Sequence, residues 1–337
     1  MLVTVDRLFG TIGGGNLEYN AIQSARSLFT NTESTTRQIH LDLYALGPML
    51  EQCCGGVVFL HYELISGDNA AWVKTVNELT SHSRKVVIVT HTGSEEAAHK
   101  KGDKLLVTEF ATRGSLGDLD KDAIERARRL LHASDESPDT LLHPLSPSKG
   151  SLPDINDVLV FDIIRPVDFH VALYGGGHVG SAIVSILEKS LSCKITWVDS
   201  REDIFPAIES ASVTLSHAAM PTSTVEEMPG NSYYLVMTHS HAMDLALCEA
   251  ILQRDDIQFL GLIGSETKAK RFRKQLLDKG FTDDDLLRLT CPIGIDGIDS
   301  KEPGAIAVSV VTQLLQLYEA RDANQKVSNK NDNVYSI

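Results

Sequence analysis

The feature that most constrains the fold is a glycine-rich turn between two apolar runs in the second half of the chain. Residues 171–180 read VALYGGGHVG, and they are followed by an amphipathic stretch, SAIVSILEKSL, and by a second apolar run, KITWVDS. This order fits a strand, a tight turn, a helix and a second strand, which together make a βαβ unit. Gly175, Gly177 and Gly180 match the spacing G-x-G-x-x-G, and Asp199 ends the second strand.

Two interpretations of this turn are open. Glycine lets the backbone approach an anionic group, the helix start offers free N–H groups, and a strand-end carboxylate can accept hydrogen bonds from ligand hydroxyls. The alternative is that the glycines only permit tight packing of the strand against the helix. His178 either meets the ligand or lies on the surface at the helix start. The residues predicted to bind a phosphate-bearing ligand here are Gly175, Gly177, His178, Gly180, Asp199 and Arg201.

The two halves of the chain have different patterns. Strands near 212–216, 233–238 and 258–263 and helices near 242–254, 266–279 and 304–319 continue the alternation after the βαβ unit. In the first half, hairpin-like alternation is mixed with helical stretches, and Asn16 is expected to cap the helix after Gly13–Gly15. We therefore predict an α/β protein, with an N-terminal mixed α+β domain followed by a Rossmann-like doubly wound domain.

A proline-rich segment divides the two predicted domains. Four of the 11 prolines lie in or beside residues 133–156, which we predict to be a linker after a first domain over 1–132. A strand over 157–165 could return to the sheet of the first domain. The Rossmann-like domain is expected over 167–320, and the polar tail 321–337 is expected to fray.

Charge and composition exclude several classes of function. The chain has 31 Lys and Arg against 45 Asp and Glu, a net charge of −14, so nucleic acid is an unfavourable partner. Neither a long uncharged apolar run nor a signal-peptide pattern is found, which predicts no membrane span and a cytoplasmic location. The five cysteines are an odd number without C-x-x-C spacing, which argues against a disulfide framework or a zinc knuckle.

Two further candidate sites lie in the first half. Gly13, Gly14 and Gly15 could arrange their amides as an anion cradle, or they could be only a flexible turn. Cys54, Gly55 and Gly56 follow Cys53 on a glycine-rich loop, where a thiolate could approach a soft metal or a sulfur-bearing cofactor. Two small thiols that fill a core are the alternative.

Two more candidates follow strands of the second half. Thr238, His239 and His241, with Asp244, come after the apolar run YYLVM, at the strand end where open α/β sheets bind ligands. Hydrogen bonding to a ligand is favoured over metal binding, because the spacing H-x-H-x-x-D lacks a further histidine. Gly264 and Ser265 open a helix that offers either a phosphate site or a solvated basic face, with the cations Lys268, Lys270, Arg271 and Arg273.

Seven segments in the same order resemble one family. They are GTIGGGNLE, LGPMLEQCCGG, LYGGGHVG, WVDSRE, MTHSHAMDL, GLIGSETKAKRFR and CPIGIDGIDSKEPGAIAVSV. Together they are similar to the XdhC/CoxI family of xanthine dehydrogenase accessory proteins over about residues 3–318. Unlike the usual family pattern, the chain starts almost at its first strand and lacks a G-S-T-P-R segment, which leaves its affinity for the cofactor open.

The resemblance implies a maturation factor and not a catalyst. Members of the family bind the molybdenum cofactor, protect it while its sulfido ligand is installed, and insert it into the molybdoenzyme. The family's C-G-G motif corresponds to Cys54–Gly56, which implies contact between Cys54 and the metal of the cofactor. The implied partners are the molybdenum-binding subunit of xanthine dehydrogenase or a related enzyme and a cysteine desulfurase. A homodimer is also expected, since homodimers are the commonest assemblies.

Two other functions compete with this interpretation. An NAD(P)-dependent oxidoreductase would use the glycine turn and Asp199, with His178 as a conceivable proton donor. It would leave the Cys54 loop without a role. A metal-dependent hydrolase built on His239, His241 and Asp244 does not fit the spacing of those residues.

Overall fold

The computed structural model describes residues 1–30, 39–46, 56–67, 70–81, 84–93, 104–132, 139–145, 157–208 and 210–332. The chain divides into two compact units, Met1–Pro166 and Val167–Ile337, which are described separately. No helix within these described ranges is both long enough and apolar enough to cross a bilayer.

The described part of the first unit is built from hairpins and three α-helices. Its elements are β1 (Leu2–Val3), β2 (Leu8–Phe9), α1 (Gly15–Leu28), β3 (Ile39–Leu46), β4 (Gly56–Glu63), α2 (Ala71–Ser81), β5 (Val86–His91), β6 (Lys104–Val107), β7 (Thr112–Gly114), α3 (Asp120–Leu131), β8 (Thr140–Pro144) and β9 (Val158–Ile164). Strands β1 and β2 pair with each other, as do β3 and β4. The other five strands form an antiparallel sheet in the order β7-β6-β5-β9-β8.

The central strand β5 is buried along its whole length because both faces of the sheet are covered. On one face, Val87 and Val89 pack in the same core as Ala127 of α3. On the other face, Val86 and Ile88 pack against α2. A separate small core joins the β3–β4 hairpin to β9. This continuous apolar strand is therefore a two-sided core strand within an antiparallel sheet.

The proline-rich segment differs from the expectation of an uninterrupted linker. Residues Thr140–Pro144 within it form β8, which pairs with β9 at the edge of the sheet. An edge strand needs hydrogen-bond donors on one side only, so a proline at its end is tolerated. The prolines predict loop structure, whereas Leu141 and Leu142 between them form the centre of this strand.

The start of α1 corrects the predicted cap. Asn16 lies inside the helix, and the N-cap position is Gly14, which makes no side-chain cap hydrogen bond. Gly13, Gly14 and Gly15 all have positive φ angles, of 111°, 77° and 68°. This backbone path needs glycine and brings the chain into the helix without a side-chain cap.

The second unit alternates strands and helices. Its elements are β10 (His170–Tyr174), α4 (His178–Ser190), β11 (Lys194–Asp199), β12 (Val213–His217), β13 (Tyr233–Val236), α5 (His241–Leu252), β14 (Phe259–Leu262), α6 (Glu266–Asp278), α7 (Asp283–Leu287), β15 (Leu289–Thr290) and α8 (Pro303–Asp332). All six strands are parallel, in the order β12-β11-β10-β13-β14-β15. This is the doubly wound order, in which the chain adds strands toward one edge of the sheet from β10 to β12 and toward the other edge from β13 to β15.

Two apolar cores cover the two faces of this parallel sheet. Leu173 and Val171 belong to a core that includes Leu187 of α4 and residues of α8. Ala172 and Tyr174, which point to the other face, belong to a core with residues of α5 and α6. The predicted fold class, a mixed α+β region followed by a Rossmann-like doubly wound region, is confirmed. The last helix continues to Asp332, well into the stretch that was expected to fray.

Candidate functional site

The candidate site lies at the carboxyl ends of β10 and β13, the two central neighbours of the parallel sheet. The chain leaves these strands toward opposite sides of the sheet, which opens a crevice where ligands of this fold class bind. The two loops touch, since the Met237 N–H donates to the Tyr174 carbonyl at 2.9 Å. A Cβ atom at Gly175 would lie 2.3 Å from the Met237 carbonyl oxygen, so only glycine permits this approach.

Two of the three motif glycines are required by packing. Gly175 has a φ angle of +130°, its N–H donates to Val198 at 2.9 Å, and its carbonyl accepts from the Trp197 indole at 3.0 Å. A Cβ atom at Gly180 would lie 2.2 Å from that same Gly175 oxygen. The packing interpretation therefore accounts for these two glycines.

Gly177 is different because no protein contact explains it. It is exposed, it has a φ angle of −71°, and a Cβ atom there would meet no atom within 4 Å. It occupies the N-cap position of α4 and has no side chain to satisfy the amides of the first turn. Free amides at the start of a 13-residue helix form a favourable position for an anion.

Asp199 has a different role from the one expected. Its Oδ2 accepts from the Gly176 N–H at 2.6 Å and from Arg201 Nη2 at 2.9 Å, and its Oδ1 accepts from the Arg201 backbone N–H and Nε, both at 2.9 Å. Burial alone would raise the pKa of this carboxyl, but the hydrogen bonds from Arg201 and Gly176 outweigh it and lower the pKa to about 2. With both oxygens engaged, Asp199 clamps the glycine turn and fixes Arg201, whose side chain is 44% exposed.

The Thr238 loop is held by a buried carboxylate. Asp244 is fully buried, and its Oδ1 accepts from the Thr238 N–H at 2.9 Å and the Thr238 hydroxyl at 2.7 Å. Its Oδ2 accepts from Lys268 Nζ at 2.7 Å, and that ammonium also donates to the Ile263 carbonyl at 2.7 Å. Lys268, expected to be a cation for phosphate, instead joins the loop after β13 to the loop after β14. Sequence reasoning named both residues but had no signal for their pairing, since 24 positions separate them.

The histidines around this loop face solvent. His178, His239 and His241 are exposed, and His241 Nδ1 lies 2.8 Å from Arg271 Nη2. Within the described ranges, no three His, Cys, Asp or Glu side chains are grouped so that they could hold a metal ion. Asp244, the carboxylate of the metal alternative, is instead paired with Lys268.

Glycine at position 264 is explained by the Asp244–Lys268 ion pair. A Cβ atom at Gly264 would lie 2.7 Å from Lys268 Cδ, so glycine leaves room for the lysine stem. The Ser265 hydroxyl accepts from the Lys268 N–H at 3.4 Å and caps α6. Ligand binding by these two residues stays a prediction.

The candidate residues predicted in the first half of the chain belong to the first unit. Within the glycine turn, Glu18 Oε2 accepts from the Ile12 and Gly14 amides at 2.9 and 3.2 Å and from the Thr11 hydroxyl. The Glu18 carboxylate therefore already contacts an amide of the predicted anion cradle, that of Gly14. The hydroxyl of Thr11 and the amide of Ile12 lower the pKa of Glu18. Cys54 and Gly55 lie outside the described residues, and Gly56 begins β4.

The described thiols are those of Cys193, Cys248 and Cys291. Burial raises the pKa of Cys193 and of Cys291 to about 11, and it raises that of Cys248 further. A thiolate is the nucleophile and metal ligand, so these three cysteines serve as small apolar side chains. The predicted role of Cys54 is independent of them.

Strand order and the glycine turn define the second unit as a Rossmann-like domain. Residues 171–314 match the family model of the XdhC Rossmann domain. The second unit is thus similar to the XdhC Rossmann domain over these residues, and the predicted family resemblance is confirmed.

Two known proteins are similar to the chain. "Uncharacterized protein YqeB" of Escherichia coli (strain K12) is 30% identical over 159 residues, which are 47% of this chain and 29% of that protein. The match therefore spans less than a third of that relative's length. A crystal structure described as a xanthine dehydrogenase from Bacillus halodurans has a TM-score of 0.58 at 18% identity, covering 93% of this chain and 83% of that one. At this identity the likeness concerns the fold.

Alanine at Gly180 should lower stability, whereas alanine at Gly177 should leave it almost unchanged. Helix propensity favours alanine by about 1 kcal/mol, but the overlap with the Gly175 oxygen is with backbone and should dominate, leaving Gly180→Ala destabilised by about 1–2 kcal/mol. Gly177→Ala meets only open space and should change the free energy of unfolding by less than about 0.5 kcal/mol. Urea unfolding followed by circular dichroism compares the two, and equal stabilities would contradict the packing role of Gly180.

The Asp199 clamp should make stability depend on acid. Its folded-state pKa of about 2 lies below that of an unfolded Asp, so its stabilisation is full at neutral pH and is lost as pH falls from about 4 toward 2. The shift corresponds to about 2 kcal/mol, which Asp199→Asn should lose at pH 7. Urea unfolding at pH 7 and pH 3 measures the difference between wild type and variant. A difference that does not shrink in acid would refute the clamp.

The Asp244–Lys268 pair should matter more than its neighbours on α6. Lys268→Met removes the cation and leaves a buried carboxylate, so we expect a loss of about 3 kcal/mol. Lys270→Met, an exposed position of the same helix, should change stability by less than about 0.5 kcal/mol. Thermal unfolding of both variants tests this. Similar melting temperatures for the two would show that the pair is dispensable.

Proposed function

We propose that this protein binds the molybdenum cofactor as cargo, protects it during sulfuration, and inserts it into the molybdenum-binding subunit of xanthine dehydrogenase or a related molybdoenzyme. The XdhC Rossmann domain supports an accessory role for a molybdoenzyme. The similar fold of a protein described as a xanthine dehydrogenase is in line with that role.

The observation that carries the proposal is the open helix start at Gly177. The cofactor is a phosphorylated pterin dithiolene, and a phosphate fits free amides at a helix N-terminus. A Cβ atom at Gly177 would meet no atom within 4 Å, so the protein leaves open space beside this helix start. Arg201, fixed by Asp199 and partly exposed, supplies a cation on the loop after the neighbouring strand β11.

The geometry favours this role over an NAD-dependent oxidoreductase. In dinucleotide-binding domains the acidic residue at the end of the second strand accepts from the ribose hydroxyls. Asp199 occupies that position, but its oxygens are engaged by Arg201 and Gly176. A ribose diol would have to displace an internal ion pair, whereas an anion would gain from Arg201.

The remaining parts of the proposal concern partners and location. Cys54 is the candidate for contact with the metal of the cofactor, as its place in the C-G-G motif suggests. A cysteine desulfurase would supply the sulfido ligand, the protein would act in the cytoplasm, and a homodimer is the proposed assembly.

Copurification of the cofactor tests the proposal. The protein is isolated from cells that make the cofactor and denatured, and the supernatant is oxidised to the fluorescent pterin derivative while molybdenum is quantified. We expect pterin and molybdenum with the wild type. We expect at least about fivefold less with Gly177→Ala, whose methyl group would occupy open space at the helix start, or with Arg201→Ala, which removes a charge-assisted contact worth about 1 kcal/mol or more.

The control is Gly297→Ala, another exposed glycine with open space around its Cβ position, which should retain the cofactor. Because Gly297 has a positive φ angle, which alanine rarely adopts, thermal melting checks that the Gly297→Ala variant is folded. NAD and NADP are added in parallel melts, since a ligand that binds only the folded state raises the melting temperature. Absence of pterin together with stabilisation by NAD would overturn the proposal in favour of the oxidoreductase.

A further inference from the structure

The parallel sheet of the second unit has one outer strand that is open to a further strand. β12 lies at one end of the sheet, and among the described strands only β11 pairs with it. Its five residues read VTLSH and include no Asp, Glu, Lys or Arg. Leu215, at the centre of the strand, is 41% exposed. An exposed, uncharged outer strand is a template for pairing with another chain.

The other outer strands of the two large sheets have features that discourage such pairing. β15 has only two residues, and β7 has three, one of which is the charged Arg113. β8 ends in Pro144, which has no N–H to donate. Short length, charge and proline are common ways in which a protein protects the edge of a sheet. β12 has none of these features, so it differs from all three.

The hydrogen bonds between β11 and β12 show which backbone groups of β12 face outward. The Ile195 N–H donates to the Ser212 carbonyl at 2.8 Å, and the Ala218 N–H donates to the Asp199 carbonyl at 3.1 Å. In a parallel ladder, alternate residues of an outer strand bond to its neighbour, and the residues between them point their backbone groups away from it. The backbone groups of residues 213, 215 and 217 therefore face away from β11.

The outward backbone groups of β12 are complementary to those of a second β12. The N–H and carbonyl of Leu215 and the N–H of His217 make no hydrogen bond to a described residue, whereas the Val213 N–H donates to the Ser210 carbonyl at 3.3 Å. Residues directly opposite in an antiparallel pair exchange N–H···O bonds. With a two-fold axis at Leu215, the two Leu215 residues would exchange both bonds. Each His217 N–H would then donate to the Val213 carbonyl of the other copy.

The side chains are compatible with the same register. Thr214 of one copy lies opposite Ser216 of the other, and such hydroxyl pairs can share a hydrogen bond. The two Leu215 side chains lie opposite each other, so each would cover the exposed surface of the other. Like charges directly opposite destabilise a pair of strands. This edge places no charges opposite each other, although each copy carries a net charge of −14.

We propose that two copies of the protein associate by antiparallel pairing of their β12 strands, which joins their six-stranded sheets into one. The contact is isologous, because the same residues contribute from both copies. The inference rests on the homodimer of the proposed function and assigns its interface. A contact along one five-residue strand, about 16 Å long, covers less than the about 800 Å² per partner of a standard interface. We therefore expect a dimer that dissociates on dilution.

Sedimentation velocity of the full chain over a dilution series tests the inference. Leu215→Lys places two ammonium groups opposite each other in the dimer and should weaken association at least about tenfold. Leu287→Lys makes the same change at another leucine, which is 78% exposed on α7, and should associate like the wild type. Circular dichroism and thermal melting check that both variants are folded.

Cysteine cross-linking gives a second readout. Directly opposite residues of a hydrogen-bonded antiparallel pair have Cα atoms about 5.5 Å apart, which is within the range of a disulfide. Leu215→Cys should therefore give a disulfide-linked dimer with oxidised glutathione. Leu287→Cys should give no more than the wild type, which measures the background from the native cysteines. Cross-linking decides the question if Leu215→Lys fails to fold.

Three results would overturn the inference. They are a wild type that stays monomeric up to about 100 µM, where even a weak dimer forms, equal association of Leu215→Lys and Leu287→Lys, and equal cross-linking at the two positions. A dimer that persists in folded Leu215→Lys would reject this interface and leave the homodimer standing. Copurification of the cofactor is read separately through Gly177 and Arg201, so a monomer that retains the cofactor would reject this inference and leave the carrier role standing.

Discussion

The crevice of the second unit depends on the close approach of backbone at Gly175. The carbonyl of this residue accepts from the Trp197 indole and leaves no space for a side chain at Gly180, while its α-carbon faces the Met237 carbonyl. Strands β10 and β13 and helix α4 thus meet at one residue without a Cβ. A larger residue there would push apart the two loops that border the crevice, since interiors relax only partly around added volume.

Carboxylates around this crevice serve the chain itself. Asp199 holds the glycine turn and Arg201, and Asp244 holds Thr238 and Lys268. Both are almost fully buried, and a buried carboxylate is tolerated only when it is paired and hydrogen-bonded. The groups left for a ligand are then backbone amides and a partly exposed guanidinium, so the crevice favours anions although the chain as a whole carries −14 charges.

The sequence was sufficient for the architecture and insufficient for the pairing of side chains. The βαβ unit could be predicted because its strand, turn and helix lie within 30 consecutive residues. Strand β8 was missed because prolines at a sheet edge resemble prolines in a loop. The Asp244–Lys268 pair brings together distant segments, which no local pattern reveals.

Glycine-rich turns of the two units show why such a motif alone does not predict a ligand. In the first, Glu18 returns from α1 to accept from the Ile12 and Gly14 amides. In the second, Gly176 is the turn residue whose amide donates to Asp199, and no described carboxylate accepts from the amides beyond Gly177. The two turns have similar glycine content, so the difference is whether a carboxylate of the chain already accepts from their amides. A glycine turn is open to an external anion where no side chain of the protein already accepts from its amides. The turn at Gly177 meets that condition better than the turn at Gly14.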